Sequence, residues 1–371
     1  MRSFLAFFLL LQALDGLAQQ VLSGVVMDST TGEPIPYASV YVLDARRSGT
    51  LTNTDGYFRL PYNLATDTVV ISHLTYRGIR QPIHTLAADT LRLAAQALKL
   101  PEVSIYSGTG ASVFRSVLAA LDKNHAVEPV IYHVLHREFL YESDRSALHG
   151  IAEYAMDVWY APDHSTELRI IQARKKGFSA GGEIWAKNIY VAHTLGSYFH
   201  NIYKSDLKWR ESTLKRYEIG IAGSVQHEGR SLIRLELIPH KPDKDQAFTL
   251  YVDEATYAVV RIWEYRDAER TRYQETAFRE WKGKWYLSYV VWRYAGSTVF
   301  QRYQPGSISN VEDVYIYQLL PDATKTDDFK GLVGLVSIPV EEFAGKWEDP
   351  YWDTYRDIPL PAWIQQMVDS K

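Results

Sequence analysis

The sequence predicts an all-β protein of two domains: a small N-terminal β-sandwich, then a larger antiparallel sheet, with a linker helix between them and a short C-terminal helix. Three observations carry this. Val25–Met27 and Ala38–Leu43 are short β-prone runs separated by the turn residues Asp28, Thr31, Gly32 and Pro34, and Asn53, Asp55 and Gly56 mark a further turn after the second run. From Tyr132 to Leu320 the chain is rich in Tyr, Trp, Val and Ile and repeats period-two segments. That stretch lacks the long helical patterns an α/β enzyme would interleave. At 371 residues, 46% hydrophobic and 13% aromatic, the chain is long enough for two cores.

Residues 1–18 have the order of a secretory signal: Arg2 as the early charge, the apolar run Phe4–Leu11, then the small residues of Gly16-Leu17-Ala18. The run is too short to span a bilayer, and no later segment approaches the eighteen apolar residues of a spanning helix. With no cysteine in the chain, stability is expected to come from core burial rather than disulfides. Gln19 or Gln20 stands where a lipoprotein would carry its lipid-bearing Cys, so the expected address is periplasmic or secreted, without a lipid anchor. The formal net charge of -4, with no run of Lys or Arg, offers no electrostatic footprint for nucleic acid.

Residues 19–107 form the first predicted domain. Its motifs are G-x-V-x-D at Gly24 to Asp28, T-G-E-P-x-P-x-A-x-V at Thr31 to Val40, and G-T-x-T-x-x-D-G-x-F at Gly49 to Phe58. In these it resembles the carboxypeptidase-regulatory-like (transthyretin-like) domain of envelope proteins in the Bacteroidetes. Thr68–Ser72 and Thr90–Leu93 read as further short strands. The segment His73–Gly78 fits the family's aromatic-and-glycine step, and Leu100-Pro101-Glu102-Val103 fits its exit. The resemblance implies a sandwich with no catalytic residues of its own.

Residues 108–130 are the predicted linker helix: within Ala111–Lys123, the apolar Val113, Phe114, Val117, Leu118 and Leu121 recur at three- and four-residue spacing. Residues 131–345 are the predicted sheet domain. Its best strands are Ile151–Tyr160, Leu232–Ile238, Phe248–Val252, Val259–Tyr265, Tyr273–Trp281, Trp285–Tyr294 and Val314–Leu319. Trp281-Lys282-Gly283-Lys284-Trp285 is read as a hairpin with a three-residue loop. The strand runs Arg234–Pro239, Phe248–Asp253 and Val259–Trp263 resemble the lipoprotein-carrier type half-barrel, which implies a curved antiparallel sheet around an apolar cavity. Residues 346–371 are read as a C-terminal tail, with a helix at Ala362–Val368 after Pro359 and Pro361.

Candidate chemistry is sparse. His164-Ser165-Thr166-Glu167 has the H-x-x-E spacing of two zinc ligands, but no histidine follows His240 to supply a third, so no metal site is expected. Asn53, Asp55 and Gly56 echo a calcium loop whose closing position would fall on Leu64; they are read as a turn. No G-x-S-x-G elbow, no phosphate-binding glycine loop and no G-x-G-x-x-G is read in the chain, and the glycines of Gly177–Gly182 and Gly220–Gly223 are read as lacking the strand-loop-helix setting those motifs need. No cofactor is expected. The aromatic strands are the remaining signal, and Tyr251, Trp263, Tyr265, Trp285, Tyr289 and Trp292 are taken as lining a ligand site. The resulting expectation is a non-catalytic envelope protein with a binding or assembly role, its partner an envelope protein, a lipid or a glycan. The rival is a periplasmic hydrolase or peptidase with the sandwich as an accessory.

Overall fold

The computed structural model describes residues 20–43, 49–62, 68–86, 89–96, 109–125, 128–160, 166–180, 182, 211–265, 272–295, 308–321, 326–331 and 344–370. The chain divides into two compact units, the first Met1–Leu98 with Gln226–Gly229 and Pro350–Lys371, the second Lys99–Val225 with Arg230–Asp349. His164 lies outside the described residues, as do the first eighteen.

The first unit is a two-sheet sandwich. Its strands are β1 (Gln20–Asp28), β2 (Ser39–Val42), β3 (Gly49–Leu51), β4 (Tyr57–Tyr62), β5 (Thr68–His73), β6 (Tyr76–Pro82) and β7 (Thr90–Leu93). One sheet has the order β4-β1-β7 and the other β3-β2-β5-β6. Strand alternation sends Val26, Val40, Val42, Phe58, Leu60, Val69, Ile71, Leu91 and Leu93 into one core between them. Between the two strands expected at Thr68–Ser72 and Thr90–Leu93 lies a further one, β6, which pairs antiparallel with β5.

Turn chemistry sets the strand entries. Asp28 accepts from the backbone N–H of Thr30 at 2.6 Å and Thr31 at 3.0 Å, so an Asx turn ends β1, and both bonds hold its carboxyl below the usual range. Asn53 likewise accepts from the N–H of Asp55 and Tyr57, each at 3.0 Å. Gly56 sits at φ +72°, where a Cβ would come within 2.4 Å of the Val26 carbonyl oxygen. Gly56→Ala is therefore expected to destabilise the first unit by roughly 1–3 kcal/mol, read as a lower urea midpoint with unchanged m-value; an unchanged midpoint would refute the steric argument.

The C-terminal segment packs within this unit. Trp352, Ile358, Ile364 and Val368 are buried, and α2 (Ala362–Asp369) starts against the turn at Asn53 to Gly56. Asp55 Oδ2 accepts from the Ala362 N–H at 2.7 Å, capping the helix that Pro361 cannot cap with a side chain. Asn53 Nδ2 donates to the Leu360 carbonyl at 3.1 Å, Thr50 Oγ1 donates to the Asp357 carbonyl at 2.8 Å, and Arg59 pairs with the Asp357 carboxylate. The loop with a calcium-like spacing is a helix-docking turn.

The second unit is one open sheet. Its strands are β8 (Val130–Glu142), β9 (Leu148–Tyr160), β10 (Thr166–Gly177), β11 (Tyr217–His227), β12 (Arg230–Pro239), β13 (Ala247–Asp253), β14 (Val259–Tyr265), β15 (Arg272–Trp281), β16 (Lys284–Ala295), β17 (Ile308–Pro321) and the two-residue β18 (Lys330–Gly331). Their order is β11-β12-β13-β14-β15-β16-β17-β8-β9-β10-β18, a meander whose last long strand returns to pair with its first. The tip between β15 and β16 is tighter than the three-residue loop expected from sequence. Trp281 pairs with Lys284, and Lys282 and Gly283 both take positive φ (49° and 80°), a two-residue type I′ turn matched to the twist of the strands.

Helix α1 (Gly110–Asn124) covers one face of this sheet. Thr109 caps it by accepting from the Ser112 N–H, and Val113, Phe114 and Val117 pack on Ile233, Leu235, Phe248, Leu250, Val252 and Ile262. A Cβ at Gly110 would stand 2.2 Å from the Ile219 carbonyl oxygen, so only glycine lets the helix start this close to β11. His125 ends the helix fully buried; its Nε2 accepts from the Val259 N–H at 3.3 Å, and burial, with the Lys284 charge, holds its pKa down at about 3.

Candidate functional site

Because strand side chains alternate, the register decides which candidate residues can meet. One row of paired positions runs across nine strands: Glu236, Thr249, Trp263, Glu275, Val291, Asp313, Arg137, Glu153, Arg174. The next row on that face contains Arg234, Tyr251, Arg261, Ala277 and Tyr289. Leu235, Leu250 and Ile262, which meet α1, lie on the opposite face.

Four of the six expected lining residues therefore share the face away from α1: Tyr251, Trp263, Tyr265 and Tyr289. Tyr251 and Trp263 meet edge-on with ring centroids 5.5 Å apart, and Trp263 meets Tyr265 at 6.5 Å. Tyr289 joins through charge: its hydroxyl donates to Glu275 Oε1 at 2.7 Å, while Arg261 lies 5.5 Å over its ring and 3.0 Å from the same carboxylate oxygen. The other two, Trp285 and Trp292, fall on the α1 face. Trp285 bridges to His125 behind the helix, and Trp292 pairs with Gln274, one position out of phase with the Tyr289 row. Sequence alternation alone misplaces Trp285 because a bulge at Ser288 shifts the β15–β16 register between Ala277 and Phe278.

The aromatic face is also a charged one, which composition did not foretell. Arg137 Nε donates to Glu153 Oε1 and Arg174 Nε to Glu153 Oε2, both at 2.5 Å, with Glu153 wholly buried. Arg174 in turn lies 4.2 Å over the Trp347 ring and donates to the Trp347 carbonyl at 2.9 Å. Further along β9, Asp157 is 1% exposed and bonds both His133 and Arg169. Burial pushes the Asp157 carboxyl up, but those two bonds and their charges outweigh it and the net shift is down. Tyr251 is pushed up to about 12, chiefly by burial.

The face is thus a sheet of aromatic rings tiled between paired guanidinium and carboxylate groups. Trp263 is only partly buried, and its indole Nε1–H is buried without a hydrogen-bond partner among the described residues. Among the described residues no group of three or more His, Asp or Glu side chains converges as a metal site would require. Glu167, half of the H-x-x-E pair, sits on β10 opposite Trp159 and Gly331.

One sequence reading needs correction. Gly177-Phe178-Ser179-Ala180-Gly181 does have the G-x-S-x-G spacing, which the sequence reading missed: β10 ends at Gly177, Phe178 and Ser179 bend, and Ala180 and Gly182 take helical conformation. The spacing itself is the available signal. Arg174, Lys175 and Lys176 break the apolar pattern of β10, and this hides the strand that gives the spacing its meaning.

Residues 22–105 match the family model described as the CarboxypepD_reg-like domain. That domain covers the sandwich strands β1 to β7. No curated protein matches the chain. Among solved structures, the chain is similar to a domain described as an outer membrane lipoprotein-sorting protein from Vibrio parahaemolyticus, at 12% identity over 59% of this chain and 96% of that one, with a TM-score of 0.30. A LolA superfamily protein from Nitrosomonas europaea is similar at 11% identity over 60% of this chain and 96% of its own, TM-score 0.30. A DUF1329 family protein from Desulfovibrio piger is similar at 13% identity over 59% and 94%, TM-score 0.27. No helix among the described residues is long and apolar enough to cross a membrane.

Proposed function

We propose that this is an exported cell-envelope protein with a binding or assembly role, the CarboxypepD_reg-like domain serving as a docking or spacing module and the large sheet holding a hydrophobic ligand or partner segment. The observation that carries this reading is the Tyr251–Trp263–Tyr265 cluster. Trp263 meets Tyr251 and Tyr265 in T-shaped contacts and keeps part of its own surface open. A partly open aromatic surface suits an acyl or peptide ligand that lies against the rings. The N-terminal signal pattern supports export, and the absence of cysteine is in keeping with a fold that needs no oxidative assembly step.

The test is native mass spectrometry of the protein purified from the envelope of its own host. A retained adduct, lost in Trp263→Ala while the thermal midpoint holds, is the expected outcome. A bare protein mass, or an adduct that Trp263→Ala keeps, would overturn the reading.

A further inference from the structure

The bulge at the start of β9 aims a histidine at the serine of the G-x-S-x-G segment. Between β8 and β9 the register shifts at Leu140/Tyr141, so that His149 stands as an extra residue next to Leu148. Bulges of this kind re-aim a side chain out of the ladder. His149, buried in the second unit, has its Nδ1 3.1 Å from Ser179 Oγ and its Nε2 2.9 Å from Glu142 Oε1. The three residues come from the end of β8, the start of β9 and the turn after β10, and β9 lies between the other two strands in the sheet.

Donor and acceptor roles are fixed by chemistry. A carboxylate only accepts, so the Glu142 contact places the imidazole proton on Nε2 and leaves a lone pair on Nδ1. Ser179 Oγ accepts from the Gly182 N–H at 3.0 Å, and its O–H can donate to that lone pair across the 3.1 Å contact. Gly182 is required here, because a Cβ would fall 1.6 Å from the His149 carbonyl oxygen. Phe178 donates its N–H to the same carbonyl at 2.8 Å, which ties the turn to β9 beside the histidine. Ser179 itself remains partly accessible. The result is a hydroxyl on the turn that follows β10, hydrogen-bonded to a base that is oriented by a carboxylate.

We propose that Ser179, His149 and Glu142 form an acyl-transfer site that hydrolyses carboxylic esters. This goes beyond the binding role above and does not rest on it. Ser179 Oγ attacks the ester carbonyl carbon while its proton passes to His149 Nδ1, giving a tetrahedral oxyanion. That intermediate collapses with cleavage of the bond to the alcohol oxygen, and the alcohol leaves with the proton from Nδ1. Water then attacks the acyl-serine, gives its proton to Nδ1, and the acid departs as Ser179 Oγ recovers that proton. Glu142 is a positioning residue: it holds the ring tautomer and the imidazolium formed in each half. An ester is the favoured class because an alcohol leaves more readily than an amine from a site with one proton donor.

Ser179 also caps the next turn, so the experiment must separate nucleophile from cap. The full chain is treated with a fluorophosphonate probe, the labelled peptide is identified by mass, and hydrolysis of p-nitrophenyl acetate and butyrate is followed in parallel. The expected result is an adduct on Ser179, with His149→Ala slowing its formation by about a hundredfold or more. Ser179→Asn keeps an acceptor for the Gly182 N–H and should retain the wild-type thermal midpoint while losing label and turnover. Glu142→Gln should lower kcat with little change in KM, which a merely structural carboxylate would not do. A folded protein with no adduct on Ser179, or one that labels as fast in His149→Ala, would overturn the proposal.

Discussion

Glu153→Ala is expected to destabilise the second unit by about 3–5 kcal/mol, because it takes away the buried carboxylate that the Nε of Arg137, a residue only 3% exposed, holds at 2.5 Å. The pair geometry explains the size. Both carboxylate oxygens of Glu153 are engaged, one by each arginine, so a single substitution removes a carboxylate shared by two cations. Arg174 is less exposed to the loss, since it keeps the Trp347 carbonyl and ring. Replacing all three residues by apolar side chains of similar volume should cost far less than the single change, since a buried ion pair is stabilising mainly relative to its own broken halves. Urea denaturation of the single and triple variants checks both expectations, and a single-variant loss under about 1 kcal/mol would contradict them.

The same group sets an acid limb. Burial pushes the Glu153 carboxyl up, the charges and hydrogen bonds of Arg137 and Arg174 outweigh it, and the net shift is down; Asp157 and Asp253 are lowered as well. A carboxyl with a depressed folded-state pKa contributes stability that is present above its unfolded value, near 4 for these side chains, and is lost as pH falls through the folded value. The thermal midpoint should therefore hold from neutral pH down to about pH 5 and fall below about pH 4. Glu153→Gln should shallow that fall.

Ile364→Ala carries the second large effect, about 2–5 kcal/mol on the first unit. Ile364 is 1% exposed in α2, and with Trp352, Ile358 and Val368 it anchors by burial a segment that also makes four polar contacts to Thr50, Asn53, Asp55 and Arg59. Those contacts contribute less. Burial raises the Asp357 carboxyl more than Arg59 lowers it, so the Arg59–Asp357 pair offsets its own desolvation only in part. Asp55→Ala, which removes a helix cap, should cost about 1 kcal/mol. The two substitutions act on one docked helix, and a double variant whose loss falls short of the sum would show that they report the same docking event.

Much of the fold was legible in residue order. Period-two alternation marks β9, β12, β14 and β16 because each buries at least one face, and the three- and four-residue spacing of Val113, Phe114 and Val117 marks α1 because that stripe must meet a sheet. The turns at Asp28 and Asn53 were readable because Asx and Gly chemistry is local. Cα pairing was not. Trp285 and Trp292 look like Tyr251 and Tyr265 in sequence, and only the bulge at Ser288 and the phase of β16 send them to the α1 side.

The candidate sites divide along the same line. Sequence by itself determined the all-β plan, the sandwich motifs matched at residues 22–105, and the supply of strand aromatics, since these depend on neighbours a few residues apart. Tertiary structure alone decided which aromatics share a face, that Glu153 binds two arginines from two different strands, that the C-terminal helix is capped by Asp55, and that His149 reaches Ser179. Each of these joins residues on different strands or distant segments, and strand register and bulges, which are set by the packing of the whole sheet, govern them.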